Sequence, residues 1–112
     1  MSKICVFAGT TEGRTLVAFL STQNVQVTAC VATEYGETLL DPAENLQISA
    51  QRLTEPQMKE LFSLQGFDLV VDATHPSAPI VTKNIASACE ETGTAYLRLL
   101  RDGSDTPEDS VF

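Results

Sequence analysis

The chain has 112 residues, with 7 Lys and Arg against 15 Asp and Glu, a net charge of −8 and 43% hydrophobic residues. That length suits one compact domain and that apolar content can fill a core, so disorder is excluded as the default state. No stretch approaches the ~20 apolar residues that cross a bilayer, and an acidic chain without a basic run excludes non-specific nucleic-acid binding.

The start, Met1 to Phe7, is too short in its apolar part for a signal peptide and has no small-residue cleavage site. Lys3-Ile4-Cys5-Val6-Phe7-Ala8 instead reads as a buried strand. It runs through Gly9-Thr10-Thr11-Glu12-Gly13-Arg14 into a helix with Leu16, Val17, Phe19 and Leu20 on its inner side. Val25 to Val31 is a second strand, Gly36 marks the loop after it, and Leu46-Gln47-Ile48 a shorter third, with the link between them unassigned. Thr54, Pro56 and Gln57 have the spacing of a capping box with proline in the first turn, and Met58, Leu61 and Phe62 follow at helical spacing towards Gly66. Phe67 to Asp72 is a fourth strand that stops at Thr74-His75-Pro76. In the next helix Ser77 is the expected cap and Pro79 falls in the first turn. Ile80, Val81, Asn84, Ile85, Ala88 and Cys89 form its inner face, and Gly93 ends it. Ala95 to Leu100 is a fifth strand.

This alternation predicts an α/β fold: an open, mainly parallel sheet of about five strands with helices on both faces. The domain is expected over 1–101. Residues 102–112 carry Asp102, Asp105, Glu108 and Asp109 without a basic residue and read as an acidic tail or the start of a linker. The three cysteines, Cys5, Cys30 and Cys89, are widely spaced without a CxxC pair, and the single histidine, His75, is distant from each. No metal site or disulfide framework is expected, and buried thiols fit a reducing cytoplasm.

Ligands of open parallel sheets sit beyond the carboxyl ends of the strands, where strand order reverses. Two clusters fall at such ends. In the first, Gly9 permits a sharp turn, the helix start offers N–H groups to a phosphate, and Thr10 and Thr11 can add hydroxyl donors. The glycine-rich dinucleotide fingerprint is not met, because aligning its last glycine on Gly13 puts Ala8 and Thr10 at the other two. Arg14 either pairs with a phosphate or projects from an exposed face. After strand two, Glu34 would favour a ribose with free hydroxyls, whereas a 2′-phosphate would want Thr33, backbone N–H groups, Arg14 or Arg52. The second cluster is Asp72 to Pro79, in which Asp72 can orient the loop and His75 is either a structural or a catalytic residue.

Taken together, Gly9-Thr10-Thr11-Glu12-Gly13-Arg14, Ala32-Thr33-Glu34-Tyr35-Gly36, Asp72-Ala73-Thr74-His75-Pro76 and Tyr96-Leu97-Arg98-Leu99 resemble the precorrin-6A reductases of cobalamin biosynthesis. Gln51-Arg52-Leu53 matches that family's Gly-Arg-Leu segment except at its first position. The resemblance implies a Rossmann-like fold and NADPH-dependent reduction of one double bond of precorrin-6A or its cobalt-bearing counterpart, a tetrapyrrole. It also implies a chain about twice this length with two Rossmann-like halves, of which this sequence matches the first. Gly9, Thr10, Thr11 and Glu12 would hold the pyrophosphate, Thr33 and Arg14 the 2′-phosphate side, and Thr74 and His75 the nicotinamide side. His75 would be the proton-handling residue.

Two departures stand out. Ser77 replaces a tyrosine usual in the family, and Gly13 stands where alanine is common, a difference expected to be tolerated at a helix start. A substrate rich in carboxylates also demands positive charge. Either Arg52, Lys83, Arg98 and Arg101 form a patch or, as preferred, the absent half supplies it. The alternative function is a non-catalytic dinucleotide-binding or sensing module. A reductase of the epimerase-like Rossmann group is disfavoured, because no Tyr-x-x-x-Lys spacing follows Tyr35 or Tyr96.

Overall fold

The computed structural model describes residues 1–100, so the expected acidic stretch 102–112 lies outside the described residues. Nine elements alternate along the chain: β1 (Ser2–Phe7), α1 (Thr11–Leu20), β2 (Val25–Val31), α2 (Glu34–Thr38), β3 (Leu46–Ala50), α3 (Glu55–Gln65), β4 (Leu69–Asp72), α4 (Pro79–Thr92) and β5 (Tyr96–Arg98). The strands form one sheet in the order β3-β2-β1-β4-β5, with every pairing parallel. The central strand explains the apolar run at the start of the chain. β1 has a neighbour on each side and helices over each face, so residues of both parities are buried.

Alternation along the strands divides two cores. Cys5 and Phe7 of β1, Cys30 of β2 and Val70 of β4 pack under Met58 and Phe62 of α3 and Ile85, Ala88 and Cys89 of α4. Phe62 meets Phe7 and Phe67 edge-on, with ring centroids 6.2 and 6.1 Å apart. Val6, Ala8, Val27, Ala29, Val31 and Val71 face the other way, against Val17 of α1 and Leu40 beyond α2. The α/β architecture and the Rossmann-like sheet are thereby established.

Local signals were read correctly where they act within one turn. Thr54 accepts from the Gln57 N–H while the Gln57 side chain accepts from the Thr54 N–H, which completes the capping box of α3. Gly66 and Gly93 end α3 and α4 in the left-handed conformation, at φ 63° and 68°. Four readings need correction. Phe19 is 58% exposed, because it lies two residues, or about 200° of helical rotation, from the buried Val17. Ile80 is exposed as well, on the first turn of α4, where it borders a cavity rather than the core. Ser77 does not cap α4, whose cap position is Ala78 with no side-chain hydrogen bond. Gly36, read as marking the loop after strand two, lies inside α2, a short helix with Thr33 as its cap.

Candidate functional site

Strand order reverses beside β1. The chain leaves β1 towards β2 on one side, and β4 carries it away on the other, so the loops after β1 and β4 diverge over the carboxyl edge. Thr10 stitches them together. Its hydroxyl accepts from the Gly13 N–H at 3.2 Å and donates to the Ala73 carbonyl at 2.8 Å. The single hydroxyl proton of Thr10 is therefore engaged inside the protein, and its expected part as a donor to phosphate is not what the geometry provides. What remains for an anion is the positive end of the α1 dipole, at the start of the helix.

Gly13 sets how near the helix can come. A Cβ there would stand 2.8 Å from the Ala73 Cβ and 2.9 Å from the Ala8 Cα, both rigid. This is the close helix-to-strand approach that the last glycine of the dinucleotide fingerprint provides. Glycine at this position, where alanine is common in the family the sequence resembles, therefore fits the helix start without strain, as expected. Gly9 is less constrained, since a Cβ there would meet the Thr74 Cα at an ordinary 3.6 Å.

Two cavities open at this edge and share Gly9 and Thr74 as a common rim. The smaller, about 360 Å³, is bordered by Thr10, Thr11, Glu12 and Arg14 from the α1 side and by His75, Pro76 and Leu99 from the β4 and β5 side. Arg14 donates to the Thr11 hydroxyl at 3.1 Å, which holds its guanidinium over the first turn. The larger, about 520 Å³, extends towards β2 and β3 and is walled by Phe7, Leu53, Met58 and Val81, with Ala32 and Arg52 at the strand ends.

Below the rim lies a polar cluster centred on Asp72, which has no exposed surface. Its Oδ1 accepts from the Thr74 N–H at 3.0 Å and the Thr74 hydroxyl at 2.7 Å, and its Oδ2 accepts from the Tyr96 hydroxyl at 2.9 Å. Thr82 joins through the Thr74 hydroxyl at 3.0 Å. Arg98 donates to the backbone carbonyls of Asp72 at 3.0 Å and Thr74 at 2.9 Å, with a longer approach of 3.4 Å to Oδ1. Burial alone would raise the Asp72 carboxyl, but the donors from Thr74, Thr82 and Tyr96 outweigh it and hold the group below the usual carboxylate range. Burial, followed by the bond to Asp72, pushes Tyr96 up to about 12. The sequence reading of Asp72 as the orienter of this loop holds. Tyr96 and Arg98 were missed as its partners, although their i, i+2 spacing puts both on one face of β5 and Arg98 directly opposite Asp72.

His75 is exposed, and Ser77 reaches its Nδ1 both through the backbone N–H at 3.0 Å and the hydroxyl at 2.7 Å. With Nδ1 accepting, the neutral ring carries its proton on Nε2. Ser77 stands one residue before the cap position of α4, which is Ala78. Of the residues expected at the site, Gly9, Thr10, Thr11, Glu12, Arg14, Thr74 and His75 meet around the smaller cavity, whereas Thr33 borders neither. The Thr33 hydroxyl accepts from the Gly36 N–H at 3.0 Å and is bound to α2. Cys5, Cys30 and Cys89 are buried free thiols. Cys5 and Cys30 face each other at 3.8 Å, and that contact together with burial pushes the Cys5 thiol up.

The model of the family described as precorrin-6x reductase CbiJ/CobK matches residues 3–112. The cobalt-precorrin-6A reductase of Methanothermobacter thermautotrophicus is 35% identical over 99 residues, 88% of this chain and 33% of that protein. The cobalt-precorrin-6A reductase of Priestia megaterium is 34% identical over 98 residues, 88% of this chain and 38% of that protein. A solved structure of a CobK precorrin-6A reductase superposes with a TM-score of 0.79 at 26% identity, covering 96% of this chain and 42% of that one. The chain thus spans 33% and 38% of the two curated relatives.

Proposed function

The chain belongs to the precorrin-6x reductase family, and from that premise we propose that it binds NADPH along the carboxyl edge of its sheet and serves the reduction of one ring double bond in a precorrin-6A-type tetrapyrrole during cobalamin biosynthesis. The observation that carries this reading is the pair of cavities meeting at Gly9 and Thr74, beside the N-terminus of α1 and at the point where strand order reverses. A dinucleotide needs this sequence of environments: an apolar recess for a base, a run of N–H donors for a pyrophosphate, and a second recess for the reactive ring. Gly13 lets the helix start close enough to supply the donors.

When bound, the dihydronicotinamide supplies the hydride. The chain's own residues position the partners. The first turn of α1 and Arg14 meet the pyrophosphate. Thr10 holds that turn against the β4 loop, and the Asp72 cluster fixes the loop from below, so Thr74 and His75 are presented on a rigid edge. His75, with its proton at Nε2 and Nδ1 held by Ser77, is placed to keep a proton beside the smaller cavity. Arg98 is bound to the Asp72 and Thr74 carbonyls, which withdraws it from a patch facing the substrate carboxylates, and Arg101 lies outside the described residues. We assign that charge to a second, substrate-facing half of a family-length protein. Three free, buried thiols suit a cytoplasmic location.

Calorimetric titration with NADPH and separately with NADH tests the reading. Binding of NADPH in clear preference to NADH is expected. Binding of neither would overturn the assignment of the cofactor to these cavities.

A further inference from the structure

Cofactor choice in a dinucleotide fold is made at the end of β2, where the adenosine ribose lies and either an acid meets its hydroxyls or an arginine meets its 2′-phosphate. The sequence left Glu34, Thr33, Arg14 and Arg52 as contenders, and the fold separates them. Glu34 and Thr33 border neither cavity: Glu34 opens α2, and the Thr33 hydroxyl caps that helix. Arg14 lies on the smaller cavity, tied to Thr11 over the first turn of α1.

Arg52 is placed differently. The β2–β3 ladder ends at the pair Val31 and Ala50, and the chain then carries Arg52 out of the sheet beside the β2 end, on the wall of the larger cavity that also contains Ala32. It is the sole charged side chain among the described residues bordering that cavity, which no carboxylate lines. Among the described residues no acid forms an ion pair with it. In a chain of net charge −8, a guanidinium without an ion pair on an otherwise uncharged recess is a local reversal of sign. A guanidinium also matches phosphate oxygens two at a time, which an ammonium cannot do.

Resting on the cofactor reading above, we propose that Arg52 is the residue that selects NADPH over NADH, by pairing with the 2′-phosphate at the mouth of the larger cavity. Arg14 then serves the pyrophosphate, which both nucleotides share.

The test is calorimetric titration of the chain and of its Arg52→Gln, Arg52→Lys and Arg14→Gln variants with NADPH, NADH, adenosine 2′,5′-bisphosphate and 5′-AMP. Arg52→Gln should weaken NADPH and the bisphosphate about thirty-fold, the loss of a charge-assisted pair, and leave NADH and 5′-AMP unchanged. Arg52→Lys should recover part of the difference. Arg14→Gln should weaken the two dinucleotides alike. Unchanged NADH binding shows at the same time that the variant is folded. If the parent chain prefers NADPH and Arg52→Gln keeps that preference, the role of Arg52 is overturned while the cofactor reading stands. If the parent chain binds neither dinucleotide, both fail together.

Discussion

At the scale of single residues the site depends on a glycine and a threonine whose work is steric and internal. Gly13 admits α1 to the turn, and neither Ala73 nor the Ala8 backbone can yield to a Cβ placed 2.8 and 2.9 Å away. Gly13→Ala gains helix propensity yet overpacks this contact, and a net destabilisation of about 1–2 kcal/mol is expected. Urea unfolding measures it; an unchanged or raised midpoint would show that the helix can slide outward at no cost. Thr10 shows how a motif residue can be found while its task is misread. Its position at the turn was legible, but its proton acceptor, the Ala73 carbonyl, is 63 residues away in sequence.

At the scale of elements, what acts within one turn could be read directly. The capping box of α3 needs only Thr54 and Gln57, three residues apart, so sequence and structure agree there. Thr54→Ala removes the acceptor for the Gln57 N–H on an exposed turn and should cost about 1 kcal/mol, without altering nucleotide binding. Chemical denaturation of the variant checks the first part and calorimetry the second. The start of α4 was not legible in the same way. Ser77 is a good capping residue by type, but α4 begins at Pro79, one residue too late for it, and Ser77 instead donates to the His75 ring. A one-residue shift in the helix start decided it. Phe19 failed for another reason: its apolar character suggested the core, and the angular position relative to Val17 placed it outside.

At the scale of the whole molecule, the parallel sheet brings together Asp72, Thr74, Thr82, Tyr96 and Arg98 from β4, the loop after it, α4 and β5. The cluster couples stability to acid. The Asp72 carboxyl is more acidic folded than unfolded, so its contribution is complete above about pH 4 and is lost as the pH falls through its lower folded value. Urea midpoints measured between about pH 6 and pH 2.5 should fall more steeply in the parent chain than in Asp72→Asn. Equal slopes would remove Asp72 as a source of acid sensitivity. The loop bearing His75 is held by the same bonds, so acid should loosen the rim of the nucleotide cavities before the two apolar cores give way.

The amino-acid sequence by itself determined the alternation of strands and helices, the buried central strand, the helix caps made within a turn and the family. Each of these is written in spacing over a few residues or in short motifs kept in order. Only the tertiary structure decided that Arg52, rather than Thr33 or Arg14, borders the larger cavity, that Asp72 is held by Tyr96 and Arg98, and that Gly13 has no room for a methyl group. Those facts depend on distances between segments tens of residues apart. The sheet order β3-β2-β1-β4-β5 sets these distances, and no local pattern of side chains encodes them.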